Sequence, residues 1–125
     1  MILVDTSLWV DHLARGDERL LALLVQGRVL MHPMVIGEIA CGNLADRAEL
    51  LELLHSLPQA VVAEHDEALA LMERYNLFGQ GIGWIDMHLL AATALTADAT
   101  LWTRDKRLRA CAGLLGLSNT DADMH

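Results

Sequence analysis

The chain has 125 residues, of which 54% are apolar and 21% are charged, so it fits one globular domain and is not a disordered chain. Seventeen acidic and nine basic residues give a formal net charge of −8, which argues against a general nucleic-acid coat protein. No uncharged apolar run reaches the roughly 18 residues of a membrane span. The opening MILVD carries no basic leader of a secretory signal, so we expect a cytoplasmic protein with no membrane partner. Cys41 and Cys111 form no zinc-binding pattern, which favours two free thiols, with one disulfide as the alternative.

Short apolar runs alternate with helical patterns along the chain. Strands are predicted over residues 2–4, 28–31, 60–63 and 99–103, with residues 114–117 as a candidate fifth strand at the sheet edge. Helices are predicted over residues 8–16, 17–27, 33–42, 46–57, 64–75, 84–96 and 105–111, and a glycine-rich loop over 79–83. This alternation is typical of parallel βαβ units. It predicts a single α/β domain over residues 1–125, with three α/β/α layers and a parallel sheet of four to five short strands.

Four acidic residues occupy apolar surroundings, where an unpaired buried carboxylate would be costly. Helix capping explains three of them when each is taken alone, because two follow strands and one lies in the first turn of a helix. The fourth lies inside a predicted helix among aliphatic neighbours, which capping does not explain. The four residues are Asp5 after MILV, Glu38 in VIGEIACG, Asp86 in GIGWIDMHLLAATAL and Asp105 after ATLWT.

The predicted topology brings these four acids together. In a parallel sheet, ligands bind in the crevice outside the carboxyl ends of the strands. Two carboxylates about 4 Å apart repel by roughly 4 kcal/mol at an effective dielectric constant of about 20, so the cluster needs a cation. An all-oxygen ligand set favours Mg²⁺ or Mn²⁺, and such ions on carboxylates serve phosphodiester cleavage. The pattern therefore predicts a metal site in a hydrolytic enzyme.

Four segments of the chain, in order and spanning nearly all of it, resemble the signature blocks of a PIN domain, in particular the VapC-type toxin ribonucleases of bacterial toxin–antitoxin pairs. The segments are MILVDTSLWVDHL, VIGEIACG, GIGWIDMHLLAATAL and LWTRDKRL. The resemblance implies an endoribonuclease that hydrolyses RNA phosphodiester bonds with Mg²⁺ or Mn²⁺. It also implies a homodimer and a cognate antitoxin protein that threads a segment across the acidic cleft.

The resemblance also assigns roles to residues at the motif positions. The small hydroxyl residues beside the acids, which we also expect to bind substrate, are Thr6 and Thr103. Many relatives carry a further acid or amide just after the last acid, where this chain has Lys106, Arg107 and Leu108. The resemblance therefore leaves open whether the site binds one metal ion or two. The residues implied to be both metal-binding and catalytic are Asp5, Glu38, Asp86 and Asp105.

Basic residues cluster around the last of these acids. Four of the nine bases of the chain lie there, either as a solvated helix face or as contacts to RNA phosphates. The predicted substrate-binding residues in this cluster are Arg104, Lys106 and Arg107.

Two other classes of protein compete with the nuclease. A phospho-acceptor receiver domain would need paired acids after its first strand and an acidic residue after its third, yet Asp5 is followed by Thr-Ser and no Asp ends residues 60–63. A PIN-like module that binds nucleic acid or protein without catalysis keeps the fold, but the intact set of four acids disfavours it.

Overall fold

The computed structural model describes residues 1–119, so the predicted domain end at residues 120–125 lies outside the described part. Its centre is a parallel sheet of three short strands in the order β2-β1-β3. In the register of this sheet, Ile2 lies opposite both Val29 and Thr100. The strands are β1 (Ile2–Val4), β2 (Val29–Leu30) and β3 (Thr100–Trp102).

The prediction of four to five strands is wrong in number, because the two outer segments each join the sheet through a single parallel bridge. These bridges pair Met31 with Gln59 beside β2, and Leu101 with Ser118 beside β3. Within the described residues, the sheet thus keeps a five-segment layout with only its three central segments as full strands.

The outer segments depart from strand geometry for identifiable reasons. Over residues 60–63 the chain leaves the sheet, and the backbone N–H of Val61 donates to Thr96 Oγ1 at 2.9 Å instead of to a strand. At the other edge, the last helix continues to Leu114, and a turn with Gly116 at φ +70° follows it. Pairing with Leu101 therefore begins only at Leu117, whose carbonyl accepts from the Leu101 N–H at 2.7 Å.

Helices flank the sheet, and each helix of the described part begins within two residues of the start that the sequence predicts. The Asp17 side chain accepts from the Leu20 N–H at 3.0 Å and starts the second helix, and Pro33 occupies the first turn of the third. The last helix runs three residues past its predicted end at residue 111. The helices of the described part are α1 (Thr6–Arg15), α2 (Glu18–Val25), α3 (Pro33–Ala40), α4 (Arg47–Ser56), α5 (His65–Arg74), α6 (Trp84–Leu95) and α7 (Lys106–Leu114).

The strand order confirms the three-layer α/β/α arrangement. Parallel crossovers are right-handed, so the connections toward β2 and the Gln59 bridge lie on one face of the sheet, and those toward β3 and the Ser118 bridge lie on the other. Packing agrees, since α1 contacts α3 and α3 contacts α4, whereas α5 contacts α6. The direction of the connections reverses between β1 and β3, which is where doubly wound sheets bind ligands.

The core lies between these layers. All three residues of β1 are buried, and α6 buries seven consecutive residues from Met87 to Thr93, so this helix is enclosed on most of its circumference. Cys111 is buried and Cys41 exposed, and both are free thiols, as predicted. None of the helices in residues 1–119 has the length and apolar character needed to cross a membrane.

Candidate active site

The carboxyl ends of β1 and β3 lie side by side and hold Asp5 rigidly. The Asp5 N–H donates to the Trp102 carbonyl at 3.0 Å, which continues the sheet pairing to the end of β1. The Asp5 Oδ1 accepts from the Thr6 N–H at 2.8 Å, and its Oδ2 accepts from Thr103 Oγ1 at 2.7 Å. Asp5 is 9% exposed and Thr103 1% exposed, so this carboxylate is buried, with hydrogen bonds on both oxygens.

The hydroxyl of Thr103 also connects Asp5 to Asp105. Thr103 Oγ1 accepts from the Asp105 N–H at 3.1 Å while it donates to Asp5. The Asp105 Oδ1 caps α7 by accepting from the N–H groups of Arg107 at 2.9 Å and Leu108 at 3.0 Å. Capping is therefore a real function of Asp105, but within residues 1–119 the capping bonds use Oδ1 only, and the side chain lies at the exposed rim of the cluster.

Glu38 reaches the same place from α3, through the neighbouring hydroxyl. Thr6 Oγ1 donates to Glu38 Oε1 at 2.7 Å, and this bond connects the first turn of α1 to α3. Unlike its aliphatic neighbours in the sequence, Glu38 is exposed, because Val35, Ile36 and Ile39 occupy the core-facing positions of α3. The expectation of buried acids thus holds for Asp5 and not for Glu38.

Asp86 lies in the first turn of α6, where its Oδ2 accepts from the Gly83 N–H at 3.3 Å. Burial raises the pKa of the Asp86 carboxyl, and the negative charges of Asp5, Asp105 and Glu38 raise it further, while the Gly83 hydrogen bond opposes the shift. The other three predicted acids therefore lie close enough to Asp86 for their negative charges to act on it.

The residues of this carboxylate cluster (Asp5, Glu38, Asp86 and Asp105) fit a hard divalent cation by their chemistry. Every donor is a carboxylate oxygen, which suits Mg²⁺ or Mn²⁺, and the repulsion felt at Asp86 is the kind that such a cation relieves. Across residues 1–119, no group of three or more His, Cys, Asp or Glu side chains is arranged to hold a metal ion. The negative charges of the other acids therefore act on Asp86, but the carboxylate oxygens are not arranged as the ligands of one shared ion.

The basic residues after β3 differ in their surroundings. Arg104 forms ion pairs with Asp11 of α1 and with Asp17 at the start of α2, the latter at 3.4 Å. Lys106 and Arg107 are exposed in the first turn of α7. Sequence reasoning missed both partners of Arg104, since they precede it by 93 and 87 residues and no local pattern connects them.

A small cluster of aromatic rings joins the start of α5 to the first turns of α6. His88 is 2% exposed, and its Nε2 lies 2.9 Å from Nδ1 of His65. Trp84 stacks on His65 with ring centroids 5.7 Å apart and meets the His88 ring edge-on. Burial, and then the proximity of His65, lower the pKa of His88. The indole of Trp84 is therefore engaged within the protein.

A groove of about 570 Å³ adjoins the carboxylate cluster on the α1–α3–α4 side of the molecule. Its walls are mainly aliphatic, from residues such as Val10, Leu13 and Leu53, and Glu38 of the carboxylate cluster is one of its lining residues. Asp46 and Glu49 add negative charge to its lining. The groove can therefore take an apolar segment that carries a cation toward Glu38.

Comparison with known proteins gives a consistent result. The sequence model of the PIN domain matches residues 2–114. Two curated relatives, both named Ribonuclease VapC32, come from Mycobacterium tuberculosis strains CDC 1551 / Oshkosh and ATCC 25618 / H37Rv. Each is 47% identical to this chain over 118 residues, which cover 94% of this chain and 95% of the relative.

Proposed function

This chain belongs to the PIN-domain family, and on that premise we propose that it is an endoribonuclease that acts as the toxin of a toxin–antitoxin pair. One observation carries the proposal: hydrogen bonds through Thr6 and Thr103 join Asp5, Glu38 and Asp105 at the switch point of the sheet, and the charges of these three acids act on the half-buried Asp86. That arrangement stands in a chain 47% identical, over 94% of its length, to a protein named a ribonuclease.

In this proposal the catalytic and metal-binding residues are the four acids of the carboxylate cluster. Asp5 and Asp86 are the first candidates for direct ligands, because they lie deepest in the site, whereas Glu38 and Asp105 lie at its exposed rim. When bound, Mg²⁺ or Mn²⁺ neutralises charge on the phosphate and lowers the pKa of a bound water.

The hydroxyl residues support these acids by orienting them. Thr103 holds the Asp5 carboxylate and the Asp105 backbone with one oxygen, and Thr6 holds Glu38. Fixed hydrogen bonds of this kind keep ligating and proton-accepting oxygens in place before substrate arrives, which lowers the cost of reorganisation.

The proposed partners follow from the surface. We assign the groove beside Glu38 to a segment of the cognate antitoxin, with apolar side chains along the groove and a basic side chain near Glu38. Large exposed apolar side chains elsewhere, including Val25 at 80% and Leu114 at 77%, support a homodimer. The two free thiols favour the reducing cytoplasm as its compartment.

The test is cleavage of mixed cellular RNA by purified, antitoxin-free protein in Mg²⁺, Mn²⁺ or EDTA. The wild type should give discrete products with either metal and none in EDTA. Asp5→Asn removes a buried charge of the cluster and should slow cleavage on the order of 100-fold or more. Asp66→Asn makes the same charge change on the exposed start of α5, and it should cleave like the wild type.

Two outcomes would contradict the proposal. Equal cleavage by wild type and Asp5→Asn would remove the carboxylate cluster from the mechanism. Silence of both proteins with either metal would favour the non-catalytic PIN-like binding module instead.

A further inference from the structure

The carboxylate cluster poses an electrostatic problem for an RNA substrate. The chain carries a formal charge of −8, and the four acids repel the phosphate that must approach them. An acidic protein binds RNA through a local patch of positive charge, so the cationic side chains beside the cluster decide where the backbone lies.

Arg104 is already neutralised by the fold. Its guanidinium pairs with both Asp11 and Asp17, and through them it ties the segment after β3 to α1 and α2. A phosphate could recruit Arg104 only by displacing two carboxylates that lie within its reach. The guanidinium of Arg104 is thus already engaged in ion pairs within the protein.

Arg107 has a different environment. Its backbone N–H donates to Asp105 at 2.9 Å, and its side chain extends across the glycine-rich loop that leads into α6. A Cβ built on Gly81 would lie 2.7 Å from both Cδ and Nη1 of Arg107, so the guanidinium lies directly on the Gly81 backbone. Within residues 1–119, no ion pair or side-chain hydrogen bond engages it.

Gly81 permits this contact for two reasons. Its φ of +81° lies in the region that glycine adopts without strain, and the absence of a side chain leaves room for the guanidinium. The loop continues to Gly83, which caps the helix of Asp86. Among the described residues Arg107 therefore has no ionic partner, and it lies between the two segments that present Asp105 and Asp86.

We propose that the Arg107 guanidinium, seated on Gly81, binds an RNA phosphate next to the carboxylate cluster, and that Arg104 instead positions the segment carrying Thr103 and Asp105. This inference rests on the proposed ribonuclease function. Arginine suits the task because its planar fork donates two parallel hydrogen bonds to phosphate oxygens.

The experiment measures initial rates of mixed-RNA cleavage against RNA concentration at several salt concentrations, with Mg²⁺ constant. Arg107→Ala should raise KM about tenfold, with a much smaller effect on kcat. It should also reduce the slope of log(1/KM) against log[salt] by about 0.7 to 0.9, the value for one lost phosphate contact. Arg107→Lys keeps the charge and should restore most of the salt slope and part of the affinity.

Matched variants separate this effect from a general loss of charge. Arg28→Ala removes the same charge at the opposite end of the sheet, where the amino ends of the strands lie, and it should keep the wild-type KM and salt slope. Within residues 1–119, the Arg28 side chain has one hydrogen bond, to Gln26. Arg104→Ala should keep the salt slope while lowering kcat and Tm, since it loosens the segment that holds the acids.

Gly81→Ala tests the seat itself. A methyl group there must push Arg107 away, so the variant should raise KM in the wild type but add little to Arg107→Ala. If Gly81→Ala does not fold, the comparison of Arg107→Ala, Arg107→Lys and Arg28→Ala still tests whether Arg107 binds the RNA phosphate. If the wild type cleaves RNA and Arg107→Ala has the same KM and salt slope, the inference about Arg107 is overturned while the proposed function stands. A wild type that cleaves no RNA would overturn the proposed function first.

Discussion

The negative charge that Asp86 needs for its proposed function lowers the stability of the folded protein. Because burial and three neighbouring acids raise its pKa, the folded protein favours the protonated form more than the unfolded chain does. The associated stability is present below the ordinary pKa of an aspartate and is lost as the pH rises through the raised value. At neutral pH the ionised Asp86 carboxylate therefore destabilises the folded protein.

Asp86→Asn should relieve this repulsion. The amide keeps an oxygen for the Gly83 N–H, and we expect a rise in Tm of roughly 2–5 °C at pH 7 in EDTA, together with loss of RNA cleavage. Thermal melts of both proteins at pH 7 and pH 4 check this, since the gain should shrink at the lower pH. A lower Tm for the variant at pH 7 would show that the cluster does not repel Asp86.

For single residues, the sequence predicts which positions belong to the site better than it predicts how buried each side chain is and what it contacts. The four acids stand out because they interrupt apolar runs, and the structure brings them together. Their burial differs, however, because exposure depends on which helix face meets the core, and Glu38 lies one position away from the core residue Ile39. The ion pairs of Arg104 join distant segments and leave no trace in local sequence.

Among the elements, α3 depends on a histidine cap. His32 is 1% exposed, and its Nδ1 accepts from the Met34 N–H at 3.0 Å, which requires the neutral ring. Burial, and then the nearby His88, lower the pKa of His32 below its ordinary value. Stability from this neutral cap is complete above the ordinary histidine pKa of about 6.5 and declines as the pH falls below it.

His32→Asn should remove this pH dependence and retain the cap, because asparagine is among the best N-cap residues. The measurement is Tm from pH 5 to 7.5, where the variant should show a flatter acid limb than the wild type. His55→Asn, which changes an exposed histidine near the end of α4, is the matched control and should follow the wild-type slope. Identical slopes for all three proteins would contradict the assignment.

The elements themselves were predictable to different degrees. Helices followed from apolar periodicity, from the caps Asp17 and Asp105 and from Pro33 in the first turn of α3, which are local signals. The outer strands were not, because a short apolar run such as residues 60–63 reads as a strand whether or not it finds a partner. Val61 and Val62 are 47% and 55% exposed, and pairing there stops after one bridge.

For the whole molecule, the negative charge should couple metal binding to stability. A cation that binds only the folded cluster stabilises it by about 1.4 kcal/mol for each tenfold excess over its dissociation constant. We therefore expect millimolar Mn²⁺ to raise the Tm of the wild type by several degrees and that of Asp5→Asn much less.

Asp66→Asn separates site binding from general screening, since it carries the same net charge as Asp5→Asn and leaves the cluster intact. Its Tm should respond to Mn²⁺ like that of the wild type. Equal shifts for all three proteins would assign the effect to screening of surface charge, and no shift in any of them would remove the metal site.

The hydroxyl of Thr103 has a consequence for how the protein is made. It joins residues that lie far apart in the chain, since Thr103 follows Asp5 by 98 residues, and the backbone of Asp5 pairs with Trp102 in the same place. During translation, the segment that carries Thr103 and Asp105 therefore leaves the ribosome long after Asp5. A nascent chain that lacks β3 already holds Asp5, Glu38 and Asp86 but no closed cluster, so the site can form only after β3 has been made. A cell that makes this ribonuclease is in that way protected from the activity of copies whose synthesis stops before β3.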